Sequence, residues 1–367
     1  MSQSTNSSDQ LARQISGKPV YKRHYKKQDG RNLYFYGYAP HTGARIEGED
    51  LEINAGAELR LHPLRKTWSI YAGHRNNRTF KPGAAANPLA PSQAGKPLTE
   101  IPFEDFELCV FENRFPGLHN NAHDPVDIGV ANARASGSCE VIVYSPESEG
   151  SLATLGQARR RLLLETWIDR YAHLFSQGCA FVLPFENRGD EVGVTLHHPH
   201  GQIYGFPFVP DPQQNAADSF EAGYRLHKKL GEWRSEFGIA EAGGMLAYAP
   251  PFARFPYEVW ISGFQKRSGP WAFDEAEADG FAYLLGDIAR RYDSMFLQQT
   301  PYMLSLHASP YGHDNRFEFT AQFYPLLRAP GRVKYLASVE QATGVFTVDI
   351  MPERAAKALR DVAREYR

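Results

Sequence analysis

The sequence predicts an α+β fold that contains two tandem copies of one structural unit. A β-type run, a long amphipathic helix, a buried-type strand and a further strand follow one another twice along the 367 residues. These segments are 139–145, 151–175, 180–183 and 193–204 in the first half, and 257–262, 275–296, 302–307 and 317–323 in the second. A repeated order of this kind indicates internal duplication. Only the first copy carries a dense cluster of residues suited to catalysis, within its last segment.

Each predicted element rests on a local pattern. Short runs of β-branched and aromatic residues predict strands at 33–36, 68–71, 106–111 and 140–144. The helices at 151–175 and 275–296 place leucines and aromatic residues on one face at helical spacing. Pro352 suits the first position of a final helix over 352–366. A Gly-, Pro- and Ala-rich segment at 82–97 predicts a loop.

The predicted domain order is a flexible basic arm at 1–30, a first half at 31–215 and a second half at 216–367. The basic residues that stand out in the arm are Lys22, Arg23, Lys26 and Lys27. We expect them to be solvated, and the alternative is that they face a phosphate group.

Composition is typical of a soluble globular protein. Apolar residues make up 42% and charged residues 22%, and the formal net charge is −2. A general nucleic-acid binder needs a surplus of positive charge, which this chain lacks. No apolar run is long enough to span a membrane, the first residues show no apolar signal segment, and three cysteines are too few for a disulfide scaffold. We therefore expect a cytoplasmic protein with no membrane or nucleic-acid partner.

The catalytic cluster is the segment His197-His198-Pro199-His200-Gly201-Gln202. Side chains alternate along a strand, so His198, His200 and Gln202 are predicted to project from one face. A neutral imidazole nitrogen can attack phosphorus, and a glutamine amide can donate to phosphate oxygens as their charge changes. The segment thus indicates phosphate chemistry, with a metal site or a group of structural histidines as the alternative interpretations.

The segment Gly193–Tyr204 closely resembles the active-site signature of the galactose-1-phosphate uridylyltransferase family, which belongs to the histidine-triad superfamily. Further blocks that resemble the family, in the family's own order, are 63–78, 111–116, 185–189, 323–325 and 334–340. The resemblance implies two histidine-triad-like halves, each an antiparallel sheet flanked by helices. It also implies a homodimer.

The resemblance implies a role for each matching residue. His200 matches the nucleophile that takes the α-phosphate of the nucleotide, and Gln202 matches the glutamine that binds this phosphate. His198 completes the catalytic group, for which we expect a hydrogen-bonding role. Lys334 and Glu340 match positions that reach the sugar. The residues that match positions near the nucleotide and its phosphates are Arg75, Arg78, Asn113, Asn187, Gly193 and Thr195.

The zinc ligands that are usual in the family are largely replaced in this chain. Residues 87–90, Asn-Pro-Leu-Ala, stand in place of a C-x-x-C pair, and residues 145–148 stand in place of a later histidine. Of that ligand set only His198 remains, and one imidazole does not make a tetrahedral zinc site. We expect packing or hydrogen bonds to replace zinc here.

The second metal site of many family members is also altered. His307 matches one ligand, but Thr320 and Gln322 stand in place of an H-x-H pair, and no glutamate occurs at 216–218. We therefore expect no metal and no other cofactor. The sugar end differs too, since 337–340 lacks an aromatic residue or glycine that the family often has there.

The leading functional hypothesis is a ping-pong transferase that moves UMP from UDP-glucose to a hexose 1-phosphate, with galactose 1-phosphate as the expected acceptor. The alternatives are a nucleotide-sugar phosphorylase, a transferase for another base or sugar phosphate, and a non-catalytic nucleotide-sugar-binding relative. Intact His200 and Gln202 favour an enzyme, because binding alone requires neither a nucleophile nor its partner.

Overall fold

The computed structural model describes residues 9–15, 18–48, 53, 56–77, 87–314 and 316–362. The chain divides into two compact units. Unit 1 lies within 1–149, 165–184 and 195–211, and unit 2 lies within 150–164, 185–194 and 212–367.

The observed units differ from the predicted halves at two segments. The main division follows Asp211, and residues 150–164 and 185–194 belong to unit 2. The first of these segments joins unit 2 because Arg161 donates to Asp279, at 3.0 Å. The second joins it because residues 185–188 pair with a strand of unit 2.

Unit 1 is built around an antiparallel sheet. The strands of the first part of the chain are β1 (Asp9–Ile15), β2 (Lys18–Lys26), β3 (Asn32–Gly37), β4 (Glu58–Leu61), β5 (Trp68–Tyr71), β6 (Leu108–Glu112), β7 (Asn132–Arg134), β8 (Ser138–Val143), β9 (Phe181–Arg188) and β10 (His200–Phe206). The sheet of unit 1 has the order β1-β2-β3-β6-β8-β10, and β9 adjoins β10. A separate three-stranded sheet has the order β5-β4-β7.

Unit 2 repeats the combination of an antiparallel sheet and helices. Its strands are β11 (Gly238–Ala242), β12 (Met245–Tyr248), β13 (Val259–Gly263), β14 (Tyr302–His307), β15 (Thr320–Pro325), β16 (Leu327–Ala329) and β17 (Arg332–Val333). The order in its sheet is β14-β15-β13-β12-β11. The helices of the described chain are α1 (Gln157–Ser176), α2 (Asp211–Glu221), α3 (Leu226–Trp233), α4 (Glu275–Phe296), α5 (Ser338–Thr343) and α6 (Pro352–Val362).

The predicted α+β class is confirmed, with one notable difference in a helix boundary. α4 spans the predicted residues and begins with a capping box, in which Asp274 accepts from the Glu277 amide and Glu277 accepts from the Asp274 amide. α1 begins at Gln157 rather than at 151, because the preceding residues form a tight turn. In that turn the Leu155 amide donates to the Ser151 carbonyl, at 2.9 Å.

Residues 18–26 form a strand rather than part of a flexible arm. The Val20 side chain is fully buried, and the Lys22 ammonium pairs with Asp169 at 2.7 Å. Arg23 donates to backbone carbonyls at residues 41 and 43, and Lys27 pairs with Glu100 at 2.7 Å. The predicted solvated arm is therefore wrong for Lys22, Arg23 and Lys27, because their charges are engaged within unit 1, whereas Lys26 is exposed as expected.

The cysteines and helices agree with an ordinary globular interior. Cys109, Cys139 and Cys179 are free and buried, and burial raises the pKa of Cys139 and of Cys179 to about 11. No helix in the described part of the chain combines the length and apolarity that a bilayer crossing requires.

A buried ion pair ties α1 to the strand beside β10. Arg170 donates twice to Glu140 of β8, at 3.0 and 2.7 Å, and both side chains are almost fully buried. The guanidinium also lies over the Tyr34 ring, 4.2 Å from its centroid. Two parallel hydrogen bonds and the aromatic face fix the orientation of this arginine.

We expect Glu140→Ala to lower the free energy of unfolding by about 3–5 kcal/mol, because the buried Arg170 guanidinium loses both of its hydrogen bonds to Glu140 and keeps only a 3.8 Å ion pair with Asp169. Urea denaturation measures this loss. The double change Glu140→Leu with Arg170→Met should recover most of it, since it removes both charges at similar volume. As a control, Glu232→Ala breaks an exposed pair with Lys229 and should change stability little. A near-neutral Glu140→Ala variant would contradict the prediction.

Candidate active site

A cavity of about 140 Å³ in unit 1 opens beside the first residues of β10. Five of the residues predicted from the sequence to form the site line it: Arg75, Asn113, Thr195, His200 and Gln202. They reach the cavity from separate segments, since Arg75 lies on the short 3₁₀ helix Gly73–Asn77 and Asn113 directly follows β6. His200 and Gln202 are alternate residues of β10 and therefore share a face.

The apolar wall of this cavity is a feature that sequence reasoning missed. Phe111 of β6 pairs with Val141 of β8, which pairs with Gln202 of β10, so the three residues form one row across the sheet. Leu89 and Leu196 complete the wall. The apolar runs of β6 and β8 indicate buried strands, but the row depends on the register between strands that are distant in the sequence.

Two charged residues at the cavity were also not predicted as site residues. Arg114 lines it, and its guanidinium lies 4.7 Å from the Phe115 ring centroid. Glu100 lines it too, but its carboxylate is paired with Lys27 at 2.7 Å and with Arg31 at 2.8 Å. Because that negative charge is compensated, Arg75 and Arg114 can act on an anion in the cavity.

The hydrogen bond of His200 determines its tautomer. Nδ1 lies 2.7 Å from the backbone carbonyl of His198. A carbonyl oxygen can only accept, so Nδ1 carries the proton and Nε2 keeps its lone pair. Burial lowers the pKa of His200 below its usual value, with a smaller lowering from the nearby His198 imidazole. His200 is thus a neutral imidazole with a nucleophilic Nε2.

His198 supports His200 but does not line the cavity. β10 begins at His200, and the His198 side chain is buried and is not among those that line the cavity. That His198, His200 and Gln202 share one face therefore stays a prediction for His198. Its Nε2 donates to the Ser145 carbonyl at 2.8 Å, and its Nδ1 accepts from the Asn87 amide nitrogen at 3.0 Å.

Zinc does not fit the residues around His198. A ring nitrogen must offer a lone pair to a metal, but Nε2 of His198 is protonated and Nδ1 accepts from Asn87. Asn87 and Ser145 are the residues that stand where the family has a cysteine and a histidine. Within the described residues, no group of three or more His, Cys, Asp and Glu side chains could hold a metal ion. Hydrogen bonds connect these three positions instead.

The remaining predicted site residues fall elsewhere. Arg78 lies outside the described residues. Asn187 and Gly193 belong to unit 2, and Gly193 has a φ of 75°, a conformation that favours glycine. Lys334 and Glu340 also belong to unit 2. They pair with each other at 3.1 Å.

The geometry defines a class of site. The neutral His200 imidazole, which has an unprotonated Nε2, lines a cavity that is also lined by arginine guanidinium groups and side-chain amides. Guanidinium and amide groups donate to phosphate oxygens. The fold and the cavity are those of an α+β protein that can hold a phosphate group beside a histidine nucleophile.

Comparison with known proteins identifies the family. The model for the N-terminal domain of galactose-1-phosphate uridyl transferase matches residues 49–210. The galactose-1-phosphate uridylyltransferase of Thermotoga maritima is 32% identical over 324 residues, covering 84% of this chain and 99% of the relative. That of Streptomyces lividans is 31% identical over 360 residues, covering 91% of this chain and 96% of the relative. The chain belongs to the galactose-1-phosphate uridylyltransferase family, a family of transferases.

A solved structure supports the fold. The structure entitled "Structure of uridylyltransferase" superposes with a TM-score of 0.74 at 23% identity, covering 84% of this chain and 99% of that one. The chain therefore has the α+β fold of that structure.

We expect Asn87→Ala to destabilise the protein by about 1–3 kcal/mol, because the buried His198 Nδ1 loses its donor. Thermal and urea denaturation measure the loss. The matched control is Asn76→Ala, which changes an exposed asparagine and should have little effect. An Asn87→Ala variant as stable as the control would show that the bond to His198 does not stabilise the site.

Proposed function

We propose that this protein transfers a UMP group from UDP-glucose to a hexose 1-phosphate, with galactose 1-phosphate as the acceptor, through a covalent uridylyl-histidine on His200. The observation that carries the proposal is the hydrogen bond from His200 Nδ1 to the His198 carbonyl, which leaves Nε2 as the nucleophile. The names of the family relatives support a uridylyl group as the transferred group and galactose 1-phosphate as a substrate.

The proposed reaction has two displacements. In the first, His200 Nε2 forms a bond to the α-phosphorus of UDP-glucose, and the bond from that phosphorus to the bridging oxygen breaks. Glucose 1-phosphate leaves with the electron pair. In the second, a phosphate oxygen of the acceptor attacks the same phosphorus, the N–P bond breaks and His200 returns to its neutral form.

The charge on the transferred phosphoryl group requires donors that are already in position. Arg75 and Arg114 supply positive charge at the cavity, and Gln202 supplies a neutral amide one position further along the same strand face as His200. Arg75 is held by the Phe115 carbonyl at 3.3 Å and the Tyr204 hydroxyl at 3.2 Å. An arginine oriented before the substrate arrives loses less entropy during the reaction.

Intact mass measurement after mixing with UDP-glucose, without acceptor, tests the covalent step. We expect a mass gain of one UMP group in the wild-type protein and none in His200→Ala. The control His197→Ala changes the exposed neighbouring histidine and should still form the adduct. Because burial lowers the pKa of His200 below the usual 6.5, the imidazole is still neutral at pH 6.5, so the rate of adduct formation should stay level from neutral pH through 6.5 and fall only at lower pH.

The acceptor distinguishes the alternatives. Galactose 1-phosphate should discharge the adduct and yield UDP-galactose, whereas discharge by inorganic phosphate would indicate a phosphorylase. If an adduct forms only with another nucleotide sugar, that compound is the donor in place of UDP-glucose. Nucleotide-sugar binding without any adduct would favour the non-catalytic alternative and contradict the proposal.

We also propose that the protein works without zinc, on the support of the two hydrogen bonds that occupy both ring nitrogens of His198. Elemental analysis of the purified protein should show zinc well below one ion per chain. A chelator should change neither the melting temperature nor adduct formation. Stoichiometric zinc would overturn this part of the proposal.

A homodimer and a cytoplasmic location stay predictions. The exposed side chains of Trp68, Ile70 and Tyr71 on β5, an edge strand of the three-stranded sheet, support an interface with a second copy.

The proposed sugar-binding roles of Lys334 and Glu340 rest on the resemblance alone. Backbone amides, with help from Lys334, lower the pKa of Glu340 to about 2, so its carboxylate is charged and could accept from sugar hydroxyls.

A further inference from the structure

Unit 2 contains a cavity of about 510 Å³ against β15, which has no part in the proposed reaction. Thr320, Gln322 and Tyr324 are alternate residues of this strand and line the cavity from one face. His307 of β14 and Trp260 of β13 extend the same lining. The volume lies within the range of about 300–1,000 Å³ that is typical of small-molecule sites.

This cavity occupies the same place in the second copy as the active-site cavity does in the first. The duplicated order makes β15 the counterpart of β10 and β13 the counterpart of β8. Gln202 of β10 pairs with Val141 of β8, and Gln322 of β15 pairs with Trp260 of β13. On each strand, the residue two positions before the glutamine also lines the cavity. This residue is His200 in unit 1 and Thr320 in unit 2.

The floor of the unit 2 cavity is polar and uncharged, and the Glu318 carboxylate elsewhere in the lining accepts from the His227 amide and contacts the His227 ring, at 2.7 and 2.9 Å. His307 contacts the Gln213 amide nitrogen at 3.2 Å and the Ser305 hydroxyl at 2.8 Å. Burial, with a smaller effect of the Arg254 charge, lowers the pKa of His307 to about 4, so the ring is neutral. Gln322 donates to the Thr320 hydroxyl oxygen at 2.8 Å. Such groups can donate to and accept from a heterocycle.

The walls of the cavity are aromatic, and the buried Glu258 carboxylate fixes the orientation of the Trp260 ring in one wall. Glu258 accepts from the Trp260 indole nitrogen at 2.7 Å and from the amides of Arg254 and Phe255, at 2.7 and 3.0 Å. The Trp260 ring packs edge to face against Phe252, with centroids 5.2 Å apart. A rigid, half-buried indole offers a surface on which a planar ring can stack.

One cation lining the cavity is available to an anionic group. Arg254 is exposed, and its guanidinium lies 5.5 Å from the Tyr324 ring centroid and 5.1 Å from that of Phe346. Its charge also contributes to the lowered pKa of His307, so its positive potential reaches the floor. Arg254 Nη2 donates to the Tyr324 hydroxyl at 3.5 Å, and an arginine that lies over aromatic rings can still direct its other N–H groups to a phosphate.

We propose that the unit 2 cavity is a second, non-catalytic nucleotide-binding site. The base would stack in the aromatic walls and bond to the floor, and the phosphate would bind Arg254. No group transfer is expected there, because Thr320 stands where the first copy has its nucleophile. This inference is independent of the reaction proposed for His200.

Isothermal titration with UMP and with AMP, compared across variants, tests the second site. Arg254→Gln removes the cation, and Ser219→Trp places a bulky ring at the exposed α2 residue that lines the cavity. We expect each change to weaken one class of nucleotide sites at least tenfold, or to remove one bound nucleotide per chain. Asn215→Trp is the control, because it adds the same ring on an exposed position of α2 outside the cavity lining.

Adduct formation at His200 is read in the same samples by intact mass. Loss of one nucleotide equivalent in both cavity variants, with the control and the adduct unchanged, supports the proposal. Unchanged stoichiometry and affinity in Arg254→Gln and Ser219→Trp would overturn it, as would an equal loss in Asn215→Trp. Failure of the His200 reaction appears as a missing adduct in the wild-type protein, so the two proposals can fail separately.

Discussion

The geometry of the active-site cavity depends on the hydrogen bonds of one buried imidazole, His198. Its two ring nitrogens connect Asn87 to Ser145, two residues beyond the end of β8, and its own carbonyl accepts a hydrogen bond from Nδ1 of His200. Asn87 in turn accepts from the Leu89 amide, at 3.0 Å. A loop residue, a strand end and the nucleophile are thereby held in one network. Replacing any member leaves a buried polar group without its partner, which is why such networks specify a single arrangement.

Charge pairing within unit 1 decides which cations can act on a substrate. Lys22, Arg170 and Lys27 are engaged with carboxylates in or near the interior, so the positive charge at the cavity comes from Arg75 and Arg114. The basic N-terminal segment thus serves the structure. Compensation of Glu100 by Lys27 and Arg31 also removes a negative charge that would repel a phosphate.

Duplication explains how one chain presents two cavities of different chemistry. Both lie on the same face of equivalent strands, with a glutamine at the equivalent position. In unit 1 the residue two positions before it is His200, the proposed nucleophile, and in unit 2 it is Thr320, whose hydroxyl accepts a hydrogen bond from the glutamine. On our two proposals, the difference between the reactive site and the binding site depends on this one side chain and its hydrogen bonds.

Sequence alone determined the α+β class, the duplicated order of elements, the family and the cluster His198, His200 and Gln202, because these depend on local periodicity and contiguous motifs. Only the tertiary structure decided that His198 is buried and bonds to Asn87 and Ser145 instead of lining the cavity, because its partners are distant in the chain. It also decided the row formed by Phe111, Val141 and Gln202, because pairing register joins residues far apart in the chain. The bond from Asn87 to His198 spans 111 positions, and long-range contacts of this kind leave no local pattern.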